Sequence, residues 1–356
     1  MTKAASVISL QRYPGDRGAG GGHGSATTTG ASLAPRAKGP FRLDLTVWAL
    51  RRRAHNQVDA FAGGWYRRIL DLDAGPIGVA VAQRGGRLDL AVKGPASAVT
   101  DGTLHQAIAW AERTLGLDQE LSGFYRARKD PWLEELAIRF RGLRPPRFPS
   151  LFEAVVNAVV CQQVSLTVGI HLLNRLSERF GSRLPAAIEG WGPGAPAVER
   201  VAEANWESLR ALGLSGAKSR ALVACARALT GPDFDLAALR PLSDSELEDR
   251  LRSLPGIGRW SAQYVMLRGL GRWRILPGDD VGAQNSLRRH FHLPERPDYG
   301  DVVELSRSWS PYAGLVYFHL LLSGLEASGV SWDRPGRSAR SGGAALASLM
   351  PTEGAP

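Results

Sequence analysis

The sequence predicts two domains of different class: an α+β N-terminal domain over residues 40–129, built on an antiparallel sheet with helices, and an all-α domain over residues 130–332. Three observations predict this. Between residues 41 and about 95 the apolar side chains alternate at the period of two expected of half-buried strands. From Pro131 onward they recur at three- and four-residue steps, the period of an amphipathic helix. Residues 1–39 and 333–356 have compositions too poor in apolar side chains to offset the entropy of ordering, and both read as disordered tails.

Taken in order, the first tail includes a Gly-Ala-Gly-Gly-Gly-His-Gly-Ser-Ala-Thr-Thr-Thr-Gly run. Phe41-Arg-Leu-Asp-Leu-Thr-Val47 fits a strand, and residues 77–82 and 88–92 flank Arg84-Gly-Gly-Arg87 as a β-hairpin. A helical pattern follows at 104–115. Residues 132–140 form the next helix, stopped by the rigid connector Arg144-Pro-Pro-Arg-Phe-Pro149. Further helices are predicted at 150–162, 166–180, 205–212, 216–230, 244–253, 259–270, 280–291, 300–308 and 311–328. Leu214-Ser-Gly-Ala-Lys218 lacks paired glycines and reads as an ordinary helix connection.

The chain of 356 residues carries a formal net charge of +10 and a pI near 10.1, which favours a polyanionic partner. Residues 1–39 hold five basic and one acidic residue, and 331–356 three and two, which leaves +5 for the rest. Charge alone therefore also fits an ordinary basic protein. Two cysteines, Cys161 and Cys225, exclude a disulfide framework and are too few for a four-cysteine iron–sulfur cluster; both are expected to be buried thiols. No apolar run reaches the roughly 18 residues that span a bilayer, and the N-terminus lacks the apolar core of a secretory signal. A soluble, monomeric, cytoplasmic protein is expected, nucleoid-associated if bacterial.

The most informative stretch is Leu254-Pro-Gly-Ile-Gly-Arg-Trp-Ser-Ala262, followed by Leu276-Pro-Gly-Asp-Asp-Val281. Ser243-Asp-Ser-Glu246 is a capping-box start, and Leu247, Leu251 and Leu254 then recur at helical spacing. Pro255 ends that helix. Gly256 and Gly258 permit positive φ and close approach of another chain, so the turn around Ile257 can present free N–H groups at the start of a second helix, where an anionic phosphate is favoured. Asp279 and Asp280 stand at the next helix start. An arbitrary Asp-Asp pair there is more often a pair of caps than a reactive group; the hairpin upstream reverses that preference.

These motifs resemble the helix-hairpin-helix DNA glycosylases with a Gly/Pro-rich loop and an Asp, and within them the alkylation-repair branch of DNA-3-methyladenine glycosylase II. Phe152-Glu-Ala-Val-Val-Asn-Ala-Val-Val-Cys-Gln-Gln-Val-Ser165 is similar to that family's first core helix and the loop after it, and Trp309-Ser-Pro-Tyr-Ala-Gly-Leu-Val-Tyr-Phe-His319 to its last helix. The resemblance spans roughly residues 130–330 in the family's order. It implies a TATA-binding-protein-like fold for the α+β domain, a helix-hairpin-helix glycosylase domain after it, and damaged double-stranded DNA as partner. It also implies catalysis by Asp280 with Asp279 in support. Gly256, Ile257, Gly258, Arg259 and Ser261 would face the DNA backbone, joined by Gln162 and Gln163 in the loop that fills the gap left by a flipped nucleotide, Gln163 being the candidate wedge. Bifunctional members carry a lysine where Trp260 stands, so hydrolysis without strand cleavage is implied. Trp260, Tyr264, Trp309 and Tyr312 are candidates for the base pocket, Tyr312 replacing a pocket tryptophan, with a core role for Tyr264 and Trp309 equally open. No cofactor is expected beyond a monovalent cation that the hairpin turn could hold. A glycosylase for deaminated or oxidised bases, or a non-catalytic damage-binding protein, are the other readings.

Overall fold

A computed structural model of the protein describes residues 7–13, 26–33, 39–127 and 129–330. The tail expected at 333–356 lies outside them. The first tail is corrected in part: Val7–Tyr13 and Ala26–Leu33 are strands β1 and β2. They extend an antiparallel sheet of six strands with β3 Ala60–Ala62, β4 Trp65–Leu72, β5 Gly75–Arg84 and β6 Arg87–Pro95, in the order β1-β2-β6-β5-β4-β3. Composition missed them because a strand's backbone can be satisfied by its neighbours' ladders whatever its side chains are.

The predicted hairpin forms as read, with Arg84 opposite Arg87 and Gly85 at φ +58. Ile77, Val79 and Val81 of β5 and Leu88, Leu90 and Val92 of β6 are buried on one face. They pack in one core with Leu104, Ala107 and Ala111 of α2 (Asp101–Thr114) and with Val155 and Val159 of α5 (Leu151–Cys161). Trp191, from the long connection after α6 (Leu166–Phe180), covers the other face, its indole filling the space where Gly78 has no Cβ.

Residues 43–51 are a helix, α1 (Leu43–Arg51), where the alternation predicted a strand. Its polar residues Asp44 and Thr46 are buried too. Asp44 pairs with Arg42, and the Thr46 hydroxyl accepts the Arg144 N–H at 3.1 Å. A helix wrapped on all sides has no solvent face to show a helical period, so a chance alternation of two prevailed.

The remaining helices are α3 Ser122–Arg126, α4 Pro131–Arg139, α7 Val198–Glu203, α8 Trp206–Ala211, α9 Gly216–Thr230, α10 Asp244–Arg252, α11 Arg259–Arg268, α12 Val281–His290, α13 Tyr299–Arg307 and α14 Ala313–Ala327. All but α3 and α7 were predicted, to within two residues at each end. A buried ion network joins sheet to helices: Arg68 on β4 donates to Asp59 at 3.0 Å and to Glu153 of α5 at 2.8 Å. One guanidinium bridging two carboxylates in the interior fixes the sheet on α5, since breaking such a group leaves an uncompensated buried charge.

Candidate active site

The helix–turn–helix forms as the spacing predicted. Ser243 and Glu246 make the full capping box of α10. Gly256 adopts φ +74, and a Cβ there would lie 2.5 Å from that of Ala221 on α9. Buried Ile257 anchors the turn. Gly258 departs from the expectation: its φ is −86, and a Cβ would meet nothing within 4 Å. It is the N-cap of α11 and supplies no side-chain cap to the first-turn N–H groups. Ser261 lies inside that turn, buried, where its hydroxyl accepts the Gln162 amide at 2.5 Å.

Two successive residues of α11 grip two successive residues of the loop before α12. Arg259 donates to both oxygens of Asp279 at 2.7 and 3.1 Å, and its guanidinium lies 3.5 Å from the centre of the Tyr299 ring. Trp260 donates its indole N–H to Asp280 Oδ2 at 3.1 Å. The loop is clamped as well by glutamines: Gln263 accepts the Gly278 N–H at 3.3 Å and Gln284 donates to the Gly278 carbonyl at 2.8 Å. Arg259 thus braces Asp279 while its side chain stays 43% exposed at the start of α11.

The two oxygens of Asp280 are engaged differently. Its Oδ1 caps α12 by accepting the Ala283 N–H at 2.9 Å, while Oδ2 accepts from Trp260 and, at 3.3 Å, from the Tyr317 hydroxyl of α14. Burial holds the Tyr317 phenol well above its ordinary pKa, and the neighbouring Asp280 charge adds to this, so Tyr317 remains a donor. Three donors leave the half-buried carboxylate one orientation.

The four candidate aromatics do not share one pocket. Trp260 and Tyr264 are neighbours, one helical turn apart with ring centroids 5.2 Å apart. Tyr264 is buried behind Trp260, where its hydroxyl accepts from Arg52 at 3.3 Å. Trp309 packs edge-on against Trp132 within the second core cluster, and Tyr312 against Phe124. Tyr312 also lines a cavity of about 540 Å³ with Trp273 and Glu120, whose walls do not include Asp280. Sequence reasoning missed Tyr317, Arg52 and Arg268. Arg268 is fully buried under Tyr264, Phe148 and Phe318, with its guanidinium 5.5, 4.8 and 5.3 Å from their ring centres. The family motif around 309–319 contained Tyr317 but gave no reason to choose it.

Gln162 follows α5, and its amide reaches both Ser261 and, at 3.3 Å, the Gly256 carbonyl. Gln163 is exposed at φ +53. Cys161 is half-buried and Cys225 buried, both as free thiols; burial pushes Cys225 up to about 12. Among the described residues no cluster of His, Cys, Asp or Glu could hold a metal ion, and no helix is long and apolar enough to cross a membrane.

Residues 156–311 match the HhH-GPD superfamily of base excision DNA repair proteins. A DNA-3-methyladenine glycosylase of Bacillus subtilis is 29% identical over 219 residues, 60% of this chain and 71% of that protein. DNA-3-methyladenine glycosylase 2 of Escherichia coli is 34% identical over 48% of this chain and 58% of its own length. Among solved structures, a 3-methyladenine DNA-glycosylase from Archaeoglobus fulgidus superposes with a TM-score of 0.71 at 25% identity, covering 81% of this chain and 96% of that one. An 8-oxoguanine glycosylase/lyase of Clostridium acetobutylicum shares the fold at TM-score 0.65 and 14% identity, over 90% of this chain and 99% of its own. The matched region holds the hairpin, both aspartates and Trp260, and the relatives it is similar to are glycosylases of the alkylation-repair branch.

Proposed function

We propose that this protein is a monofunctional DNA glycosylase that hydrolyses the N-glycosidic bond of alkylated purines, of the 3-methyladenine and 7-methylguanine type, after flipping the nucleotide out of duplex DNA. The observation that carries the reading is the Trp260–Asp280 pair: a carboxylate fixed by an indole N–H at the position where a strand-cleaving relative would need an amine. Departure of the base leaves an oxocarbenium-like sugar, and a preorganised negative charge in a sheltered site stabilises it. With three donors already on Asp280, its task is that of a fixed charge, and its remaining acceptor site can orient the attacking water.

The hairpin supplies the hold on DNA. Its uncapped N–H groups and open Gly258 suit a backbone phosphate and read no base sequence. The electron-rich face of Trp260, half-buried at the carboxylate, suits an alkylated base that has gained positive charge. Hydrolysis drawn this way uses no cofactor, and a monovalent cation would serve only the turn. The protein acts as a monomer on damaged duplex DNA.

The test is incubation with methylated duplex DNA under borohydride. Free methylated purine and an intact abasic strand are expected, with no covalent protein–DNA adduct; a trapped adduct would show that an amine of this chain attacks the sugar.

A further inference from the structure

The loop after α5 is held by a lysine that takes no part in the site described above. Gln163 occupies the left-handed backbone region, which a residue with a side chain adopts only where its surroundings impose it, and Val164 beside it is 37% exposed. The last carbonyls of a helix have no intrahelical donor. Lys218, in the first turn of α9, supplies one: its Nζ donates to the Val160 carbonyl at 3.0 Å and to the Gln162 carbonyl at 2.5 Å. The Gln162 side chain meanwhile reaches Ser261 and the Gly256 carbonyl on the hairpin. The loop is gripped through its main chain by α9 and through its side chain by the DNA-facing turn.

The turn carrying Lys218 repeats the backbone of the hairpin with the opposite chemistry. Gly213 at φ +102, buried Leu214 and the extended N-cap Ser215 parallel Gly256 at φ +74, buried Ile257 and the extended N-cap Gly258. Ser215 closes its own helix start by accepting the Lys218 N–H at 3.3 Å, whereas Gly258 leaves its helix open. One helix start is closed by its own serine and the other is left without a side-chain cap.

The geometry points to Lys218 as a positioning residue for base extrusion, holding Gln163 and Val164 in the conformation in which they enter the space vacated by the flipped nucleotide. This rests on the glycosylase reading. Apolar or long side chains that enter a base stack lower the cost of keeping a nucleotide out of it, and only a loop already in shape does so without first being ordered.

Lys218→Met keeps the aliphatic stem and removes the donor, and Lys218→Arg restores donors. Base release is compared on a fully paired methylated duplex and on the same lesion opposite an abasic residue, where extrusion costs less, with melting temperature measured for each protein. Lys218→Met is expected to lose about tenfold on the paired duplex, the scale of a lost hydrogen bond to a charged donor. It should lose far less on the abasic-opposed lesion and melt close to the unaltered protein, with Lys218→Arg recovering most of the rate. Equal loss on both substrates, or none on either, overturns the proposal. Should Lys218→Met fold poorly, Lys218→Gln serves the same comparison. Duplex carrying 2-aminopurine at the lesion position reports extrusion with no bond broken. Its fluorescence gain should drop in Lys218→Met, and an unchanged gain overturns the proposal. If the unaltered protein releases no base yet this contrast holds, the glycosylase reading fails and the role of Lys218 stands.

Discussion

At the scale of single residues the site turns on which atoms of Asp280 are engaged. Replacing it with asparagine keeps a good helix cap and removes the charge, so folding and DNA affinity should survive while base release falls by about 10²–10³. Tyr317→Phe is the finer probe. It deletes the 3.3 Å bond to Oδ2 but keeps the buried ring. A loss of about tenfold in turnover is expected, at the lower end for a bond to a charged acceptor because the contact is long, with an unchanged melting temperature. Unchanged single-turnover rates in that variant would show that Tyr317 contributes packing alone. Asp280 and Trp260 were legible in the sequence because a local motif and its spacing carry them. Arg52 and Tyr317 were not: they come from α1's end and α14 and meet the site only through the tertiary fold. Trp309 and Tyr312 lie near Tyr317 in sequence, yet they contact Trp132 and Phe124 in the second core cluster.

At the scale of elements the two hairpin glycines, alike in sequence, differ in what they require. Gly256→Ala places a Cβ against Ala221 in a left-handed backbone and should cost about 2 kcal/mol, seen as a melting temperature lower by roughly 5 °C. Gly258→Val should fold normally, since its backbone is ordinary and its surroundings open, yet bind damaged and undamaged duplex more weakly, with a shallower salt dependence if a phosphate contact is lost. Equal destabilisation by both changes would contradict this division. Amphipathic helices such as α6 and α9 were readable because a solvent face displays the period. α1 was misread and β4 unassigned, because burial of Asp44 and Thr46 in one, and of Arg68 in the other, erased that display.

At the scale of the whole molecule the sheet and the helices share one core, and the N-terminal segment belongs to it. β2 pairs with β6 along its length, so removing residues 1–38 uncovers the edge of β6. A lower melting temperature and a tendency to associate through that edge are expected, with base release per folded molecule preserved. An unaltered melting temperature would show that β1 and β2 add no stability. The interior also sets a pH dependence. Burial pushes the His319 imidazole from 6.5 down to about 4, so between these values the unfolded chain binds a proton that the native state does not. Stability should fall as pH drops from about 6.5 toward 4, by up to roughly 1.4 kcal/mol per pH unit from this group. In His319→Leu the pH slope of the melting temperature over that window should shrink; an unchanged slope would assign the dependence to other groups.

The most direct test of the central claim is single-turnover release of 3-methyladenine from methylated duplex DNA by the unaltered protein and by Asp280→Asn, with duplex affinity measured in parallel. Release by the unaltered protein, its loss in the variant and near-equal affinity for both are the predicted result. Release at comparable rates by both proteins would contradict it, because a fixed carboxylate at the start of α12 would then play no part in the chemistry.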